Sequence, residues 1–181
     1  MSWNTDGQSL RTVHLTQGEV KVSDESGVVM TTLVGSCVSA CIFDPVARVG
    51  GMNHFLLPDD PNAGEQTALY GINQMELLIN RLLGIGARKS RLQAKLFGGN
   101  CLTKGLSDIG AKNAQLAEGF LISEAIPCIG NALRGTKAQR IQFQPATGKA
   151  RVKRIADSAD AIAKRPAPAP IPAQTGEVEL F

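Results

Sequence analysis

The chain has 181 residues, of which 43% are hydrophobic and 4% aromatic, and its formal net charge is +3. No apolar run approaches the roughly 20 residues that a membrane-spanning helix needs, and residues 1–6 lack the basic and apolar regions of a secretory signal. We therefore expect one cytoplasmic domain with an aliphatic core, without membrane insertion, whose four cysteines are reduced.

The hydrophobic pattern predicts strands and helices in mixed order along the chain. Three consecutive strands are expected at 28–34, 38–43 and 49–56, with a turn at Asp44-Pro45 between the last two. The helical spacing of Ile72, Met75, Ile79 and Leu82 predicts a helix over 70–83. The remaining predicted elements are a strand at 92–97, a helix from about 107 to 124, and strands at 126–129, 140–144 and 150–154.

These elements predict an α/β domain over 11–154, with two main helices on mixed or antiparallel sheets. Residues 1–10 are expected to form a flexible N-terminus, and the Pro/Ala-rich residues 155–181 a disordered tail. The last five residues, 177–181, could instead be a docking peptide.

Residues 134–165 carry nine Lys or Arg against two Asp. This basic block could bind nucleic acid, but aromatic residues for base stacking are scarce there, which favours a solvated surface.

The strongest chemical signal is Cys37, which follows Gly35 and Ser36 directly after the strand predicted over 28–34. A glycine turn would expose the thiol, and free backbone N–H groups of Gly35 and Ser36 could stabilise an oxyanion. A thiol needs a base to become a nucleophile, and His54 follows seventeen positions later. The residues leave open which group orients the imidazole: Thr31 or Thr32, Asn53, or a backbone carbonyl.

Other interpretations of the same cysteine compete with catalysis. A cysteine in an apolar strand is often an inert core residue. Cys41 would share a face with Cys37 and is expected to pack in the core behind it. A metal site built from Cys37, Cys41 and His54 is a weaker alternative. The segment Gly98-Gly99-Asn100 is only a weak match to a phosphate-binding loop.

Several motifs together resemble the chemoreceptor glutamine deamidase family, CheD, from about residue 13 to 154. They are Gly35-Ser36-Cys37-Val38, Asp44-Pro45, the stretch from Gly50 to Pro58, Lys95-Leu96-Phe97-Gly98-Gly99, Ile109-Gly110-Ala111-Lys112-Asn113, and the stretch from Phe143 to Lys149. The resemblance implies an enzyme that hydrolyses side-chain amides of glutamines on methyl-accepting chemotaxis receptors. It also implies a layered α/β sandwich similar to the deamidases related to cytotoxic necrotizing factor.

The resemblance further implies a Cys-His-Thr triad. Its members map to Cys37, to His54 and to Thr31, which stands six residues before the cysteine. No metal or cofactor is implied. We expect Asn53, Gly98 and Gly99 to contact the substrate.

The chain departs from the family pattern before its last hairpin, where Arg134 replaces an expected glycine and Gln139 a common basic residue. A CheC-type phosphatase is a partner of some family members, and we expect a monomer that does not bind nucleic acid. One alternative to deamidation of receptors is transglutamination or the hydrolysis of another protein amide or ester. Another is a non-catalytic adaptor that binds receptors or a phosphatase.

Overall fold

Two β-sheets and two α-helices make up the described part of the chain, residues 10–57, 64–102 and 109–155 of a computed structural model. The strands are β1 (Arg11–His14), β2 (Val20–Ser23), β3 (Val28–Val34), β4 (Val38–Asp44), β5 (Val49–Asn53), β6 (Gln93–Gly98), β7 (Cys128–Leu133), β8 (Gln139–Gln144) and β9 (Lys149–Arg154). The helices are α1 (Gly64–Gly84) and α2 (Ile109–Ser123), and a 3-10 turn spans Lys89–Arg91.

The strands form a four-stranded sheet, sheet A, and a five-stranded sheet, sheet B. Sheet A has the order β1-β3-β8-β9, and sheet B has the order β2-β5-β4-β6-β7. The pairs β1–β3 and β6–β7 are parallel, and the other pairs are antiparallel. The predicted α/β class with mixed sheets and two helices is therefore confirmed.

Two separate apolar layers bury the faces of sheet B. One layer packs this sheet against the helices, and its members include Val38, Ala40, Ile42, Phe55, Met75, Leu78, Leu82, Ala114 and Leu121. The other layer packs it against sheet A, and its members include Met30, Val34, Cys41, Phe43, Met52, Phe97, Ile141 and Phe143. Because β4 lies in the middle of sheet B, its alternate side chains enter both layers, and all seven of its residues are buried.

Most predicted elements are confirmed, with differences at their ends. The strand predicted over 49–56 ends at Asn53. Helix α1 begins at Gly64, earlier than the predicted start at 70, because the few apolar residues of its first turn give no helical pattern in the sequence. The strand predicted over 126–129 instead begins at Cys128 and continues to Leu133. β2 was not predicted, since its four residues are too few to display a period. The predictions for residues 1–9, for the start of the second helix and for residues 156–181 lie outside the described residues.

No described helix is long and apolar enough to span a membrane.

The end of β4 is fixed by a buried carboxylate, that of Asp44. Its Oδ1 accepts hydrogen bonds from the N–H groups of Val46 and Ala47, and its Oδ2 accepts from the Arg88 N–H and the Arg91 guanidinium. Burial disfavours the charge, but these hydrogen bonds outweigh it and lower the pKa of Asp44 to about 2.

Candidate active site

The candidate site lies where the two sheets meet, beside the turn that joins β3 to β4. Val38 and Phe55 exchange backbone hydrogen bonds of 2.9 and 3.0 Å, which extends the antiparallel register of β4 and β5. Cys37 and His54 each precede one member of this pair, so they are diagonal neighbours on the same face of sheet B. The fold thus brings the predicted nucleophile and the predicted base to one face.

A hydrogen-bonded threonine fixes the protonation pattern of His54. The Thr32 hydroxyl donates its proton to the Leu15 carbonyl at 2.9 Å, and its Oγ1 lies 2.8 Å from His54 Nδ1. Because a hydroxyl has one proton, Oγ1 must accept from an Nδ1–H group. The proton of neutral His54 is therefore on Nδ1, and the lone pair is on Nε2.

The residue that contacts the imidazole is Thr32, so the assignment of this position to Thr31 is corrected. Thr31 donates instead to the Ile141 carbonyl of β8 at 2.8 Å. The reason is the alternation of β3: Met30 and Val34 face the layer between the sheets, and Thr32 shares their face while Thr31 points away. Counting residues back from Cys37 does not reveal which threonine faces His54, because the turn after β3 interrupts the alternation of side chains between the two faces.

The pKa of His54 is lowered because burial disfavours the charged ring, an effect that the Glu19 carboxylate partly opposes. Its side chain is buried, and Nε2 has no hydrogen-bond partner among the described residues. A neutral imidazole with an unpaired Nε2 can act as a general base at neutral pH.

The thiol of Cys37 is half-buried and directed towards another side chain. Its Sγ donates to Oε1 of Gln17 across 4.0 Å. Burial raises the pKa of this thiol, while the N–H groups of Cys37 and Gly35 lower it. The resting pair is therefore a neutral thiol and a neutral imidazole, and proton transfer between them is left for the reaction.

Gly98 and Gly99 support the cysteine turn from behind. The Gly99 N–H donates to the Cys37 carbonyl at 2.7 Å, and the Asn100 N–H donates to the Gly35 carbonyl at 2.8 Å. Both glycines are buried. The predicted contact of Gly98 and Gly99 with substrate is therefore corrected. The weak match to a phosphate-binding loop is not supported either, because the N–H groups of Gly99 and Asn100 already donate to carbonyls of the cysteine turn.

Asn53 is also a supporting residue, which corrects its predicted substrate contact. Its side chain is fully buried. Oδ1 accepts from the Ala40 N–H at 2.9 Å, and Nδ2 donates to the Gln74 carbonyl at 3.2 Å and to Met75 Sδ at 3.4 Å. This amide joins β4 and β5 to α1 and cannot also reach a substrate. Ser36, predicted in the turn, lies there and is half-buried, with its carbonyl accepting from Asn113 Nδ2 at 3.2 Å.

The sequence interpretation missed the turn that contains Gln17 and Glu19, which places both near the Cys37–His54 pair. The glycine between them was the available signal for a turn. The alternative metal site is not supported, because the described part of the chain contains no group of three His, Cys, Asp or Glu side chains suited to a metal. Cys41 lies in the core, and burial raises its pKa strongly.

A family model described as CheD chemotactic sensory transduction matches residues 56–154. A probable chemoreceptor glutamine deamidase CheD of Caulobacter sp. (strain K31) is 52% identical over 173 residues, covering 93% of this chain and 92% of that protein. The chain belongs to the CheD family. Another CheD protein, a probable chemoreceptor glutamine deamidase of Acidiphilium cryptum, is 49% identical over 180 residues and covers 94% of each chain.

Among solved structures, protein NMB0706 of Neisseria meningitidis, which matches the family model DUF152, aligns with a TM-score of 0.48. The alignment has 10% identity and covers 70% of this CheD chain and 64% of that one. A likeness of this size is too weak to establish a common fold. Membership of the family rests on the sequence matches.

Proposed function

We propose that this chain is a protein-glutamine deamidase that converts glutamines of chemotaxis receptors into glutamates with release of ammonia. Its membership of the CheD family and the names of its close relatives support this activity. The structural observation that carries the proposal is the Thr32–His54 hydrogen bond, which leaves an unpaired Nε2 on the face that holds Cys37. This arrangement suits thiol catalysis, in which an oriented imidazole activates a sulfur.

The first half of the reaction forms a thioester. Nε2 of His54 accepts the Cys37 proton, and the thiolate attacks the carboxamide carbon of the substrate glutamine. The N–H groups of Cys37 and Gly35, which lie close enough to the sulfur to lower its pKa, are our candidates for holding the oxyanion. His54 then returns the proton to the leaving nitrogen, the C–N bond breaks, and ammonia departs.

The second half releases the product. His54 removes a proton from water, the hydroxide attacks the thioester carbon, and the bond to Cys37 sulfur breaks to leave a glutamate. Thr32 acts throughout as a positioning residue, because its acceptor oxygen stabilises the Nδ1–H form of the ring and the imidazolium that forms. None of these steps calls for a metal or an organic cofactor.

The finer features implied by the resemblance belong to the same proposal. They are a monomeric state in the cytoplasm, action on receptor cytoplasmic segments, a CheC-type phosphatase as a second partner, and a fold similar to the deamidases related to cytotoxic necrotizing factor. The deamidase domain is proposed to span 11–154. The described elements up to Arg154 fit this boundary, because both apolar layers are built from residues before it.

The test is to incubate the protein with a receptor cytoplasmic fragment and to map the glutamines by mass spectrometry. Each deamidated site gains about 1 Da, since an amide is replaced by an acid. We expect the wild type to produce this gain and Cys37→Ala to produce none. A Cys37→Ala protein that still deamidates would exclude Cys37 as the nucleophile. A wild type that binds the fragment without modifying it would favour the adaptor alternative.

A further inference from the structure

The side chain that contacts the proposed nucleophile is itself a glutamine of this chain. The Cys37 thiol donates to Gln17 Oε1 across 4.0 Å, and a glutamine carboxamide is the group that the proposed activity hydrolyses. We propose that Gln17 is a modification site, deamidated by Cys37 of the same molecule. This inference rests on the proposed function and extends it to a substrate within the chain.

Gln17 is held in place by a compact turn. The Glu19 N–H donates to the Thr16 carbonyl at 3.1 Å, and Gly18 has a φ of +86°. A positive φ at the third position is what a type II turn requires, and Gln17 occupies the second position. The Glu19 carboxylate also accepts from the Thr16 N–H at 2.6 Å and from the Thr16 hydroxyl at 3.1 Å. The backbone that presents the Gln17 side chain is thus closed by three hydrogen bonds.

The same turn is hydrogen-bonded to the backbone of the proposed base. The Gly18 N–H donates to the His54 carbonyl at 2.7 Å, and the His54 N–H donates to the Glu19 carbonyl at 3.1 Å. The backbone on either side of Gln17 is therefore joined to that of His54, and the thiol contact brings the carboxamide to the same site. Once its amide is oriented for attack, a reactant within the same molecule can correspond to an effective concentration of about 10⁵–10⁸ M.

The reaction requires one change from the described structure, a rotation of the Gln17 side-chain amide. An S–H group directed at the carbonyl oxygen is not aligned for attack, which needs the carbon of the amide in front of the sulfur. The last torsion of a glutamine side chain has a broad energy profile, and the Gln17 side chain is exposed. Turning the amide therefore costs little, and it frees the Cys37 thiol to give its proton to Nε2 of His54.

The chemistry balances with water as the only co-reactant. The Cys37 sulfur bonds to the Gln17 side-chain carbonyl carbon, the C–N bond breaks, and the nitrogen leaves as ammonia with the proton that His54 carried. Water then adds to the thioester, the S–C bond breaks, and the thiol is regenerated. The product is a glutamate at position 17. The reaction happens once per molecule, and no redox change takes place.

The sequence provides an unambiguous peptide for the test. Trypsin cleavage after Arg11 and Lys21 releases residues 12–21, in which Gln17 is the only side-chain amide. We expect this peptide from purified wild type to weigh about 1 Da more than the peptide from Cys37→Ala or Cys37→Ser. The peptide 141–149, which contains Gln142 and Gln144, serves as an internal control and should be unmodified in all three proteins.

A mixing experiment tests whether the reaction occurs within one molecule. Cys37→Ala protein labelled with ¹⁵N is incubated with unlabelled wild type, and we expect its Gln17 to stay unmodified. Conversion of the labelled peptide would contradict a reaction in the same chain. Conversion in Cys37→Ala alone would show spontaneous deamidation and would overturn the proposal.

A receptor fragment, assayed in parallel, separates this inference from the proposed function. Wild type that deamidates the fragment but retains an intact Gln17 overturns the inference alone, and Gln17 is then only a ligand of the thiol. Wild type that modifies neither glutamine overturns the proposed function as well. Deamidation of both the receptor fragment and Gln17 by wild type, together with no deamidation of either by the Cys37→Ala protein, supports both proposals.

Discussion

At the scale of single residues, the central feature is a hydroxyl with one proton and two partners. Thr32 uses its proton on the Leu15 carbonyl, so it can only accept from His54. In the proposed mechanism the imidazole is thereby oriented by a neutral group, where many thiol and serine enzymes use an amide or a carboxylate. This geometry predicts different roles for the two adjacent threonines.

A matched pair of variants tests that distinction. Thr32→Val preserves shape but removes the acceptor at Nδ1, so we expect kcat to fall by about 10²-fold or more, the scale of general acid-base catalysis. Thr31→Val removes only the bond to the Ile141 carbonyl. It should retain kcat within about twofold and lower the free energy of unfolding by about 1 kcal/mol. Steady-state kinetics and urea unfolding measure both, and the reverse pattern would restore Thr31 to the triad.

The Glu19 carboxylate should set the acid limit of activity. It raises the pKa of His54, against the larger lowering by burial. Glu19→Gln removes that charge, so the pKa of His54 should fall further and the base should stay neutral at lower pH. The acid limb of kcat/KM against pH should therefore move to lower pH. Glu25→Gln is the control, because Glu25 pairs with Arg11 at the surface. An unmoved limb in Glu19→Gln would show that another group titrates there.

Turn chemistry and a scarce histidine led the sequence interpretation to Cys37 and His54, and the structure places both on one face of sheet B. The sequence interpretation did not anticipate the direction of individual side chains. Thr31 was preferred to Thr32 on spacing, although the apolar neighbours Met30 and Val34 already indicated which face of the strand is inward. Asn53 was assigned to substrate because nothing in a sequence tells a buried amide from an exposed one.

At the scale of elements, the cysteine turn depends on the end of β6. Gly98 has a φ of +99°, and a Cβ added there would lie 2.1 Å from the Cys37 carbonyl oxygen. A side chain at Gly98 would therefore strain the backbone and displace Cys37, the proposed nucleophile. The Gly98-Gly99 pair was recognised in the sequence, but its support of the Cys37 turn, which is distant in the chain, could be seen only in the fold.

Gly98→Ala should lower stability by more than about 1 kcal/mol, and it should lower kcat by about 10²-fold through displacement of the sulfur. Gly119→Ala is the control, since a Cβ at this position of α2 meets no atom within 4 Å. The control should keep full activity and gain up to about 1 kcal/mol in helix stability. Ammonia release and urea unfolding measure both effects. Full activity in Gly98→Ala would show that the brace does not position Cys37.

At the scale of the whole molecule, the site exists because two sheets pack face to face. β3 of sheet A supplies Thr32, while the end of β5 and the start of β4 in sheet B supply His54 and Cys37. Periodicity predicts strands and helices, but it does not say which strands pair or which sheet each joins. The two-sheet arrangement was therefore available only as an implication of the resemblance, and β2 and the turn before it escaped notice.

The stability of the whole fold should depend on the charge of Asp44. Its pKa of about 2 lies below the unfolded value, so its stabilisation is present above about pH 4 and is lost as the pH falls towards 2. Asp44→Asn should lower the free energy of unfolding by about 2–3 kcal/mol at pH 7, and this difference should shrink on acidification. Glu25→Gln, at an exposed pair, should cost less than about 1 kcal/mol. Urea unfolding at pH 7, 4 and 3 measures both, and a cost for Asp44→Asn that does not change with pH would contradict the account.

The most direct measurement is a rapid acid quench of the protein with a receptor fragment in the first turnovers, followed by mass mapping of its cysteines. The account predicts a transient substrate thioester on Cys37, absent from Cys41, Cys101 and Cys128. Receptor glutamines that are deamidated while Cys37 stays unmodified at every time point, or a thioester found on another cysteine, would contradict it.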